Sequence, residues 1–78
     1  MSVDQLKDLI GCGKGWAEER AAMALDFTEL HALGELADDE YKELMQYLIR
    51  TDALDEEADD IAVKSALVNT INGLIKLL

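Results

Sequence analysis

Tyr41, Leu44, Met45, Leu48 and Ile49 stand at the i, i+3, i+4, i+7, i+8 spacing of a single helix face, and no proline interrupts the chain anywhere. Half of the 78 residues are apolar, with Leu and Ala well ahead of Val and Ile. Such residues lose little on entering a helix, and a chain this apolar is not a disordered acidic tail. The expected fold is all-α: a compact small bundle of four to five helices forming a single domain over residues 1–78. That length supports one hydrophobic core and not two. Cys12 is the only cysteine, so no disulfide braces the fold, and marginal stability or self-association is expected.

The punctuation divides the chain into segments. A short helix is expected over 2–10, capped by Ser2 with Gln5 at the capping-box position. Val3, Leu6, Leu9 and Ile10 share its apolar face, and Gly11 is placed to end it in the left-handed conformation. Three glycines in Gly11-Cys12-Gly13-Lys14-Gly15 make a turn over 11–15. A second helix over 16–33 carries Trp16, Met23, Phe27, Leu30 and Leu33 down one stripe. Leu25 falls off this stripe, alanines lie on its flanks, and Gly34 serves as the stop. A third helix over 38–50 opens with Leu36 and Tyr41 at hydrophobic-staple positions and Glu40 where a capping box needs it. Its cap is either Ala37, a poor capping residue, or Asp38.

The last segment admits two readings. Leu54, Ile61, Val68 and Ile75 recur at sevens, which fits one helix over 54–77, capped by Thr51 or Asp52. A break near Asp59-Asp60 with a fresh start satisfies the pattern nearly as well. In both readings Leu67, Ile71, Leu74 and Leu78 form a broad apolar face.

Charge is distributed very unevenly. Eleven acids and two bases lie between Glu35 and Asp60, a formal −9 within a total of −10, whereas residues 61–78 hold no acid and only Lys64 and Lys76. Nucleic acid and anionic lipid share the chain's sign and are disfavoured as direct partners. A basic protein surface is the natural counterpart. No apolar run approaches the roughly 20 residues of a membrane span. Met1-Ser2-Val3-Asp4 lacks the basic start of a secretion signal, and a lone cysteine fits a reducing compartment, so a bacterial or host-cell cytoplasmic location is expected.

Several chemistries find no support in the spacing. Gly11–Gly15 lacks the four-residue interval and the Ser or Thr of a phosphate-binding loop. Cys12 has no second cysteine, and His31 has no second histidine or cysteine with which to share a metal. The acids of 52–60 lack the alternation and the glycine of a calcium loop. Carboxylates are abundant, but none is marked for an apolar pocket that would raise its pKa toward neutrality. No catalytic residue, cofactor or metal site is assigned, and an enzyme is not expected.

The favoured expectation is a small acidic interaction module that binds a basic protein, or a nucleic-acid-binding protein as a nucleic-acid mimic or inhibitor. The candidate surface is Asp38, Asp39, Glu43, Tyr47, Asp52, Asp55, Glu56, Asp59 and Asp60. Tyr47 enters because it lies off the apolar stripe of its helix. The alternative is a structural or assembly role through the nearly uncharged C-terminal helix, including weak homo-oligomerisation. The Leu36–Arg50 stretch resembles segments of many small helical accessory proteins, including bacterial and bacteriophage ones, and that resemblance implies no particular function.

Overall fold

Apolar residues at helical spacing build four helices and no strand among the residues that the computed structural model describes, 2–50 and 58–78. They are α1 (Ser2–Ile10), α2 (Gly15–Ala32), α3 (Asp38–Arg50) and α4 (Ile61–Lys76). The capping role expected of the Ser2 side chain lies outside the described residues, as does the expected helix start between Thr51 and Glu57.

In α1, Leu6 and Leu9 are buried and Val3 and Ile10 pack against the core. The helix closes through i→i+3 bonds: Gly11 N–H donates to Asp8 O at 3.3 Å and Cys12 N–H to Leu9 O at 3.2 Å. The left-handed residue is therefore not Gly11 as expected but Gly13, at φ 86°. The tighter final turn carries Gly11 along at negative φ and moves the reversal two residues on.

The end of α2 follows a Schellman pattern. Glu35 N–H reaches back to Leu30 O at 2.9 Å and Gly34 N–H to His31 O at 3.1 Å, with Gly34 left-handed at φ 79°. The face that α2 buries differs from expectation. Ala17, Ala21 and Ala24 are fully buried, while Met23 is 44% exposed and Leu33 75% exposed. Trp16 and Phe27 are half-buried on a flank, and Leu25, expected off the stripe, packs against the core. Apolar residues lie all around this helix, so periodicity alone selects no face. Tertiary packing does: small side chains allow the axes to approach to about 8 Å, where larger ones would hold them apart.

The start of α3 is half a capping box. Ala37 precedes the first helical residue and donates its N–H to Glu40 Oε1 at 3.1 Å, while Ala37 O accepts from Tyr41 N–H at 2.9 Å. Leu36 packs against the core cluster to which buried Tyr41 belongs, consistent with the staple positions. Tyr41, Met45 and Leu48 form the buried stripe of the helix.

A single helix over 54–77 is not what forms. Residues 58–60 are non-helical and α4 begins at Ile61. Asp60, in extended conformation, caps it by accepting from Val63 N–H at 3.2 Å. The sevens pattern misled because Ile61 is 82% exposed. The working face is Leu67, Thr70, Ile71 and Leu74, with the Thr70 hydroxyl bonded to Ala66 O at 2.7 Å. Leu78, expected on this face, is 44% exposed.

α2 and α4 touch each other and both outer helices, leaving α1 and α3 on opposite sides of that pair. One core unites Leu6 and Leu9, Ala21 and Ala24, Tyr41, Met45 and Leu48, and Leu67, Ile71 and Leu74. The radius of gyration is 11.7 Å, close to the ~11.5 Å of a compact domain of this length. Among the described residues no helix is long and apolar enough to cross a membrane.

Candidate interaction surface

The acids of the middle third divide by what their carboxylates touch. Asp39 and Glu43 are exposed on α3, four residues apart, and Tyr47 continues the same stripe another four on, 67% exposed. The buried stripe of Tyr41, Met45 and Leu48 lies opposite, so the fold turns these three side chains outward together.

The other described candidates are engaged within the chain. Asp38 Oδ1 lies 2.7 Å from His31 Nε2. The His31 ring in turn stacks on Tyr41, with centroids 4.5 Å apart and planes at 14°. The Tyr41 hydroxyl shares a 2.8 Å bond with Thr28 Oγ1, which also donates to Ala24 O. A run of polar contacts thus fastens the end of α2 to the start of α3. The short Gly34 turn brings Asp38 across to His31.

Asp59 binds the start of α2. Its Oδ1 accepts from Trp16 Nε1–H at 3.1 Å, and its Oδ2 lies 3.4 Å from Lys14 Nζ. The indole hydrogen bond first, and then the Lys14 contact, hold the Asp59 carboxyl below its ordinary value. Asp60 is occupied as the cap of α4. Asp52, Asp55 and Glu56 lie outside the described residues.

The bases are arranged differently from the acids. Lys14 is held by Asp59. Arg20 turns toward the interior, donating from Nε to Leu48 O at 3.2 Å and from Nη1 to Trp16 O at 3.1 Å. Lys7, Lys42, Arg50 and Lys76 remain exposed.

The fold also forms an open groove of about 420 Å³ between α1 and α4, lined by Gln5, Asp8, Leu9, Ala66, Asn69 and Thr70. Its polar groups are side-chain amides, one carboxylate and a hydroxyl already bonded within its own helix. No group of three or more His, Cys, Asp or Glu side chains able to hold a metal occurs among the described residues. Cys12 is a free, half-buried thiol in the turn before α2. Compared with models of known families, with curated proteins and with solved structures, the chain matches none.

Proposed function

We propose that this protein is a non-enzymatic, cytoplasmic interaction module that presents an acidic face to a basic protein. The observation behind this reading is the outward stripe of Asp39, Glu43 and Tyr47 on α3, which shares that helix with the exposed bases Lys42 and Arg50, while Arg20 is turned inward and Lys14 is paired. Two like-charged carboxylates at i, i+4 destabilise a helix slightly. Their retention beside an exposed aromatic suits a contact surface: the charge speeds encounter and rejects wrong partners, while the ring supplies contact area. Mimicry of nucleic acid is a narrower form of the same reading, in which carboxylates occupy a groove built for phosphates.

The test is a pull-down with the full chain and with a triple variant, Asp39→Asn, Glu43→Gln and Tyr47→Ala. None of these side chains enters the core, so the variant should fold. Loss of captured basic proteins from the variant supports the proposal. An unchanged set of captured proteins would leave the acids as a solubility device. Displacement of DNA from nucleic-acid-binding proteins by the native chain at low salt distinguishes the mimic from the broader reading.

The alternative, assembly through the C-terminal helix, draws on exposed Ile61, Leu77 and Leu78. It loses the central part of its surface, because Leu67, Ile71 and Leu74 are buried in the chain's own core. Sedimentation equilibrium over a wide concentration range tests it.

A further inference from the structure

Because α2 buries its alanines, it leaves its larger side chains outside. Glu19, Met23, Asp26, Leu30 and Leu33 follow one another at intervals of four, three, four and three along the side opposite Ala17, Ala21 and Ala24. Met23 and Leu33 are exposed and Leu30 is half-buried; Glu19 and Asp26 stand exposed between them, with exposed Glu29 alongside. The helix contains no lysine, and its one arginine, Arg20, is directed at the carbonyls of Leu48 and Trp16. The result is an apolar strip interleaved with negative charge and bare of positive charge. From Met23 to Leu33 it extends about 15 Å at the helical rise of ~1.5 Å per residue.

We propose that this face of α2 docks a basic amphipathic helix of a partner protein. This rests on the acidic-module reading above and adds a second contact face, on α2, and the helical form of the partner segment it takes. Apolar residues at i, i+3 or i+4, and i+7 of the partner meet Met23, Leu30 and Leu33, as in helix recognition by an apolar strip. Lysines or arginines flanking that stripe meet Glu19, Asp26 and Glu29. The flexible thioether of Met23 adapts to differing partner side chains. A second copy of this chain is a poor occupant: each copy carries a formal charge of −10, and this face would set acids against acids. Anionic lipid is repelled for the same reason.

The experiment titrates the isotopically labelled full chain with a synthetic peptide of Leu and Lys patterned as an amphipathic helix. A peptide of the same composition, scrambled to have no apolar face, serves as the comparator. The patterned peptide should bind about tenfold or more tightly, shifting amide resonances along the outer side of α2. The double variant Met23→Gln, Leu33→Gln should abolish that preference, and Asp26→Lys with Glu29→Lys should weaken binding of both peptides. Asp39→Asn with Glu43→Gln should leave the preference intact. Equal binding of the two peptides, or a preference that survives the double variant, would overturn this proposal while leaving the acidic module standing. If neither peptide binds at low salt, both readings fall. A dimer of the native chain that the double variant dissolves would assign the face to a second copy and overturn the proposal.

Discussion

Replacing Ala21 by Leu and, separately, Met23 by Ala asks which side of α2 is the inside. Ala21 is fully buried and belongs to the core cluster that joins all four helices. Leu at this site inserts three extra heavy atoms where a neighbouring helix lies against a methyl group. Overpacking of a closed core costs about 1–3 kcal/mol, and the absence of solvent-exposed area at Ala21 puts the expectation near ~2 kcal/mol. For a domain of this size each kcal/mol moves Tm by roughly 4–8 °C, so Ala21→Leu should lower it by about 8–16 °C. Met23→Ala instead removes three heavy atoms, from a side chain 44% exposed. Full burial of such a side chain is worth roughly 1.5–3 kcal/mol, and about half of that is at stake here. The better helix propensity of Ala returns a few tenths of a kcal/mol. The net loss should stay near or below ~1 kcal/mol. Urea titration of the helical circular dichroism signal measures both variants directly. If Met23→Ala proves the more damaging, or Ala21→Leu is neutral, the alanine face is not the packed one and the outward stripe of α2 does not exist.

Two further outcomes follow from local geometry. The folded-state pKa of Asp59 is depressed from 3.8, so its bonds to Trp16 and Lys14 stabilise the fold above that pH and are lost as pH falls through the lower folded-state value. Trp16 is the only tryptophan, and its emission should shift with a midpoint below 3.8, a step that Asp59→Asn removes; a midpoint at or above the ordinary value would contradict the contact. Gly34→Ala forces a side chain into φ 79° and should cost about 1–2 kcal/mol, whereas Gly15→Ala, in open space at negative φ, should be neutral or stabilise by up to ~1 kcal/mol; thermal unfolding of the pair checks both.

Legibility in the sequence varied with how one-sided each helix is. In α3 apolar residues occupy one face only, so the spacing of Tyr41, Met45 and Leu48 predicted burial, and the off-stripe position of Tyr47 predicted its exposure. In α2 the apolar residues surround the axis, and spacing points to the largest of them while the smallest form the buried face. In α4 the expected face of Leu67, Ile71 and Leu74 is the one that packs, whereas Ile61 of the sevens series and Leu78 lie outside the core. Of the described candidate acids, Asp39 and Glu43 point free of the chain, whereas Asp38 and Asp59 found partners 7 and 43 residues away in sequence.

Composition and spacing by themselves determined that this chain is helical, where its third helix packs, where Gly34 stops the second, and that negative charge dominates its exterior. Those properties are local: propensity, caps and one-sided periodicity act within a few residues. Only tertiary structure decided which side of α2 faces inward and which carboxylates are engaged at home, because both depend on how closely helices approach and on what lies across the gap. A methyl group wins a contested interface by letting two backbones come near, and no pattern of hydrophobicity records that distance.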